Sequence, residues 1–215
     1  MVFSMQHRDT RQLNLWLIRH GESTWNASGR VQGQDDSASL TKVGQRQARK
    51  LASALGTLPI GAVFSSDLRR AQETALRLAD VLSVPVQLDA RLRERSFGAC
   101  EGSPHSVLTP ELSGIANGTI VDTRARPLGG ESIDDVSRRT ASFISDIRCS
   151  AIESDIAVVA HGGSIRMLVA HCGSVPLVSL PWEPVGNCAV FRLDLPRSGA
   201  DLCREYPSIE CEVNA

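Results

Sequence analysis

Two short runs constrain this chain more than any other feature. "NLWLIR" at 14–19 and "DIAVVA" at 155–160 are almost wholly apolar, and each is followed at once by histidine and glycine. Six residues are too few for a buried helix. Apolar side chains on both faces read instead as strands of a sheet covered above and below. Such a sheet needs helices to cover it, and the chain supplies them.

Thr41 is placed to cap a helix in which Val43, Gln47, Ala48, Leu51 and Leu55 fall at helical spacing, with Arg46, Arg49 and Lys50 facing away. "AVFSS" (62–66) is a further strand, and a helix runs from Asp67 to Leu82 with Leu68, Ala71, Ala75, Leu78, Ala79 and Leu82 inward. A short strand is expected at 85–88. Helical spacing returns with Ile133, Val136, Thr140, Phe143, Ile144 and Ile147, then at 164–171 after the strand 155–160, and "NCAVFRLDL" (187–195) is the last strand. Residues 26–39 read as a surface loop. Residues 95–130 lose all periodicity and are expected to form a functional or mobile insertion. The tail from Pro196 carries no signal. Strands alternating with helices predict one α/β domain over residues 1–215, a three-layer α/β/α sandwich with a largely parallel central sheet.

Ligands of such sheets sit at the carboxyl ends of the strands. Arg19-His20-Gly21 ends the first strand, the second leads to Arg69-Arg70, Glu94 comes after the third, and His161-Gly162-Gly163 ends the fourth apolar run. Of the adjacent arginines, Arg70 is expected inward and Arg69 on the helix surface. Guanidinium groups at strand ends, beside glycines and helix N-termini, suit a phosphoryl group. A histidine beside them stays neutral, because a second positive charge is disfavoured there, and a neutral ring nitrogen can attack phosphorus. Its other nitrogen needs a partner, most simply a backbone carbonyl. The second histidine, protonated by leaning on the phosphate, would stabilise the charge that grows in the transition state. A carboxyl beside a phosphate dianion tends to keep a proton that it can pass to the leaving oxygen.

The chain resembles the histidine phosphatase superfamily, also called the phosphoglycerate mutase-like family. The resemblance rests on "RHGESTWN", "VQGQDDSASLTKVGQRQA", "SSDLRRAQETA", "RLRERSFGACEG", "GGES" and "VVAHGG", in the family's order over about residues 14 to 165. It implies the phosphoglycerate mutase-like fold, with His20 phosphorylated, Arg19 and Arg70 holding the phosphate, His161 as second histidine and Glu94 as proton donor. Asn26 matches a phosphate-contacting asparagine, Ser23, Gln32 and Gly33 match positions lining the substrate side, and Gly162 follows the second histidine. The family holds both hydrolases and mutases. A short segment from Glu94 to Gly129 and "RSFGACEG" favour a metal-independent phosphatase acting on a small phosphomonoester. A mutase interconverting 2- and 3-phosphoglycerate, or a silent phosphate-binding protein, is the alternative. Family members are often dimeric, which leaves a homodimer open here.

Composition excludes several other classes. With 23 Lys and Arg against 24 Asp and Glu, no basic excess suggests nucleic acid or an anionic membrane as partner. Nothing resembles a signal peptide or a membrane span, so a cytoplasmic location with reduced cysteines is expected. Neither the five histidines nor the six cysteines fall at metal-ligand spacings, and no metal or cofactor is expected. Ser132 is expected to cap the next helix, His171 to sit protonated at a helix end, and Arg124 and Arg126 to be solvated.

Overall fold

Every apolar run singled out above forms a strand of one sheet. The computed structural model describes residues 13–195 apart from 181 and 183, together with Glu210–Cys211. Strand β1 (Leu13–Arg19) leads through a short helix α1 (Thr24–Ala27) and a loop to α2 (Lys42–Leu55). Then follow β2 (Ile60–Ser65), α3 (Arg69–Leu82) and β3 (Val86–Leu88). A short helix α4 (Pro110–Ser113) and a hairpin of β4 (Ile115–Ala116) and β5 (Thr119–Ile120) precede α5 (Ile133–Cys149). The chain closes with β6 (Asp155–Ala160), α6 (Gly162–Gly173), β7 (Val190–Leu195) and the two-residue β8 (Glu210–Cys211). Other calls on the tail from Pro196 lie outside the described residues.

The main sheet runs β3-β2-β6-β1-β7-β8. The first four strands are parallel, while β7 lies antiparallel to β1 and β8 to β7. Alternation along the strands builds two cores. Leu15, Leu17, Ile156 and Val158 pack under Phe143, Ile144, Ile165 and Leu168 of α5 and α6. Trp16, Ile18, Ala157 and Val159 pack against Leu51 and Leu55 of α2 and Ala75 and Leu78 of α3. Two apolar faces, each under its own helix pair, make the expected three layers.

Thr41 caps α2, its hydroxyl accepting from the Gly44 N–H at 3.0 Å. Val43, expected inward, is instead 40% exposed. The first turn of α2 lies against the end of β1, where a Cβ on Gly44 would come within 2.1 Å of the Glu22 carbonyl oxygen. Only glycine fits that contact, so the buried face runs through Gly44, Ala48, Leu51, Ala52 and Leu55. Gly44→Ala is expected to lower stability by about 1–3 kcal/mol through overpacking. Denaturant unfolding checks this, and a midpoint equal to the wild type's would contradict it.

The last strand begins at Val190 rather than 187 because residues 187–189 turn back over β1. Cys188 takes φ +56°, and its N–H donates to the Arg19 carbonyl at 3.1 Å. His171 does not serve the carbonyls at the end of α6. Its Nε2 donates to the Ser137 carbonyl on α5 at 2.7 Å, and burial lowers its pKa, so it is held against the charged form expected of it. Ser132 caps α5, and Asp135 closes that cap from the far side, its pKa driven to about 2 chiefly by its bonds to Ser132. Cys100, Cys149, Cys172 and Cys188 are free thiols. No helix among the described residues is long and apolar enough to cross a membrane.

Candidate active site

The carboxyl ends of β1, β2 and β6 lie side by side, because those strands are neighbours and parallel. His20 follows β1 and His161 follows β6, so register brings the two imidazoles together with ring centroids 5.0 Å apart and planes at 58°. Both are buried. His20 Nδ1 meets the Gly21 carbonyl at 2.7 Å, the backbone partner the chemistry demands. That bond makes Nδ1 the donor and leaves the Nε2 lone pair free. His161 Nε2 lies 2.9 Å from Ser66 Oγ, at the end of β2.

Arg70, in the first turn of α3, is fully buried, whereas the Arg69 side chain is 60% exposed and pairs with Glu73. Arg70 donates to the Asp35 carbonyl at 2.9 Å and the Gly33 carbonyl at 2.7 Å, which fixes its fork and leaves Nε buried without a partner. Arg19 donates to the Val185 carbonyl and likewise keeps a buried Nε unspent. Burial lowers the Arg70 pKa to about 10, so the group stays charged at neutral pH. A buried and a half-buried guanidinium, each with a buried Nε unsatisfied, form with the two imidazoles a cradle for an anion.

Both histidine pKa values lie well below 6.5. The main cause differs from the expected one: desolvation comes first, with Arg70 and Arg19 adding to it for His20, and Arg70, His20, Arg19 and Arg139 for His161. In the ligand-free protein, therefore, His161 is not held protonated. A stability consequence follows. The unfolded chain takes up protons as pH falls through about 6.5 while the folded histidines do not. Stability is therefore complete above that pH and declines below it, by up to about 1.4 kcal/mol per pH unit for each histidine until the folded pKa is reached. Urea unfolding at pH 7.5 and 5.5 should show the decline, and the double variant His20→Asn/His161→Asn should show a smaller one. An equal decline in both proteins would contradict this assignment.

Glu94 is held by backbone donors. The Arg95 N–H reaches one carboxylate oxygen at 2.8 Å, and the Gly163 N–H, at the start of α6, reaches the other at 3.1 Å. A Cβ on Gly163 would meet that carboxylate at 2.2 Å. Gly162, the residue expected to matter, leaves more room, with Arg166 Nη1 at 3.4 Å from such a Cβ.

The other matched positions divide. Ser23 and Gln32, expected on the substrate side, are buried and bond to each other at 2.7 Å, with Ser23 also capping α1. Asn26 Oδ1 accepts from the Ser23 N–H and from Asn187 Nδ2, each at 3.1 Å. Gly33, at φ +50°, carries the carbonyl that Arg70 holds, and a Cβ there would meet Glu101 Oε1 at 2.1 Å. Asn26 Oδ1, Ser23 Oγ and Gln32 Oε1 are thus joined in one hydrogen-bonded group, with Gly33 packed against Glu101 beside it.

Several contributors escaped sequence reasoning. Asn187 bridges the His20 carbonyl to Asn26. Arg139 donates to the Glu94 carbonyl at 2.9 Å and the Arg91 carbonyl at 2.6 Å, fixing the backbone that carries Glu94. Its Nε also pairs with Glu131. Glu101 accepts from the Gln34 and Phe97 N–H groups, tying the loop of 32–34 to residues 96–101. A lone Asn or Arg carries no spacing signal. Only the Glu in "RSFGACEG" stood inside a motif. Arg124 and Arg126 are exposed, and Arg126 pairs with Asp135.

The chain is similar to several known proteins. The family model described as "Histidine phosphatase superfamily (branch 1)" matches residues 15–205. A probable phosphoglycerate mutase GpmB from Enterobacter sp. (strain 638) is 36% identical over 190 residues, 86% of each chain. Among solved structures, a mycobacterial glucosyl-3-phosphoglycerate phosphatase complexed with VO3 superposes with a TM-score of 0.74 at 31% identity, over 84% of this chain and 90% of the other. A phosphoserine phosphatase mutant from Entamoeba histolytica, in complex with phosphoserine, gives 0.71 at 27% identity over 86% and 95%.

Proposed function

Because the chain belongs to the histidine phosphatase superfamily, we propose that it hydrolyses a small phosphomonoester through a phosphohistidine on His20, without a metal ion. One observation carries this reading: a buried imidazole with its Nε2 free sits beside a second imidazole and two guanidinium groups, Arg19 and Arg70, each with a buried Nε unspent. Arg19 and Arg70 hold the phosphoryl oxygens, with Asn26 nearby. His20 Nε2 attacks phosphorus as the P–O ester bond breaks, and Glu94 protonates the leaving alkoxide. Glu94 then takes a proton from water, whose oxygen attacks phosphorus, breaks the P–N bond and releases inorganic phosphate. The guanidinium groups supply the positive charge this transfer needs, and His161 adds a hydrogen bond to it. Residues 95–130 form a variable, substrate-side part of the same single domain and set which ester enters. The reaction belongs in the cytoplasm.

The curated relatives named as mutases favour a second reading, in which the phosphohistidine returns its phosphoryl group to a neighbouring hydroxyl instead of to water. One assay separates the two. Inorganic phosphate release is measured in EDTA from a panel of sugar phosphates, nucleotide monophosphates, phosphoserine and 3-phosphoglycerate, with a coupled 3- to 2-phosphoglycerate assay alongside. Release unaffected by EDTA is expected. Isomerisation with little free phosphate would replace the phosphatase reading by the mutase, and inactivity in both assays would leave a silent binding protein.

A further inference from the structure

We propose that Ser66 is a positioning residue that locks the His161 ring as its Nδ1–H tautomer, so that a neutral imidazole presents that N–H to the phosphoryl oxygens. The assignment comes from accounting for one proton. Ser66 is fully buried, and its hydroxyl oxygen already accepts from the Leu68 N–H at 3.3 Å. Its own proton needs an acceptor, and among the described residues the atom in reach is His161 Nε2, at 2.9 Å. A nitrogen that accepts there carries no proton of its own, so the ring proton sits on Nδ1. That atom is buried and has no hydrogen-bond partner.

The competing arrangement has the Ser164 N–H pointing to the His161 side chain at the start of α6, with Nε2–H donating to Ser66. It leaves the Ser66 proton without an acceptor whether or not a ligand is bound, whereas the Nδ1–H left unpaired in the first arrangement gains an acceptor once a phosphoryl oxygen arrives. The hydroxyl also has a fixed mount. The Ser66 N–H donates to the Val159 carbonyl at 2.9 Å, and Ser65 Oγ donates to the Ser66 carbonyl at 2.8 Å. Two strands, β2 and β6, thus hold the hydroxyl and the ring it orients in one register. The histidines then divide their labour through equivalent tautomers. His20 gives its Nδ1 proton to the Gly21 carbonyl and keeps Nε2 as nucleophile. His161 accepts the Ser66 hydroxyl's hydrogen bond on Nε2 and offers Nδ1–H to the charge that builds on phosphorus.

The functional half of this inference rests on the phosphatase reading, and the tautomer half does not. Ring nitrogen NMR of protein labelled with 15N-histidine at pH 7.5 reads the tautomer directly, with the His161→Gln variant assigning the signals. His161 Nδ1 should be protonated and Nε2 an acceptor. Ser66→Ala should release His161 toward Nε2–H without moving the His20 signals, and lower kcat on the order of tenfold with KM little changed. Ser66→Thr should restore both. An Nε2–H ring in the wild type, or an unchanged tautomer in Ser66→Ala, would overturn the assignment. A wild-type protein that turns over no ester would overturn the phosphatase reading while the ring signals still report on Ser66.

Discussion

His20→Ala is expected to lower turnover of any ester the protein accepts on the order of 10⁴-fold or more, while the fold survives. Among the described residues the side chain makes one hydrogen bond, to the Gly21 carbonyl, and the backbone that carries it is secured elsewhere, the His20 N–H donating to the Ala160 carbonyl at 3.1 Å. Its loss therefore removes the nucleophile and little else. Below pH 6.5 the variant should even gain stability over the wild type, because a buried imidazole that resists protonation has been deleted. Phosphate release and a urea titration at pH 5.5 check the two halves. Substantial turnover with the fold intact would contradict the covalent route.

Arg70→Met is the second large effect, and it should appear in kcat/KM, in stability and in the pH profile together. Arg70 is the clamp between α3 and the loop that precedes α2, donating to Gly33 and Asp35 while keeping Nε for the ligand. Deleting the charge should cost on the order of 10²–10³ in kcat/KM. The two carbonyls left behind cost about 1–3 kcal/mol each where water does not reach them. Lysine should not rescue, since a point ammonium cannot span both carbonyls and the phosphate as a planar fork does. Arg70 also presses down the pKa of both histidines, so its removal should move the acid limb of the kcat/KM profile upward. An unmoved limb would mean that desolvation alone keeps the histidines neutral.

Strand and helix positions were readable because the sheet is covered on both faces. β1 and β6 are apolar at almost every residue, and α5 buries each of Ile133, Val136, Thr140, Phe143, Ile144 and Ile147. Periodicity failed where burial is achieved by polar bonds. Arg95 is 2% exposed and donates to the carbonyls of Glu131, Ser113, Ala125 and Leu112, so residues 95–130 wrap a guanidinium instead of an apolar stripe. In the site, His20, His161 and Arg70 were legible because each stands at the end of an apolar run or the start of a helix. Asn187 and Arg139 were not, nor was the contact that Gly163 makes with Glu94. All three depend on pairings across 167, 45 and 69 positions of chain, which no local spacing records. Val43 misled for the opposite reason, since helical spacing alone does not show that α2 must turn a glycine toward Glu22.

The most direct test of the account is to catch the phosphoryl group on the protein. Enzyme is mixed with an equimolar amount of the best ester from the panel, quenched in alkali during a single turnover, and analysed by peptide mass spectrometry and 31P NMR. The account predicts acid-labile, base-stable phosphate on His20, bonded to Nε2, because Nδ1 is committed to the Gly21 carbonyl. Ester consumed with no phosphate on the protein at any quench time, or phosphate found on His161, would contradict it.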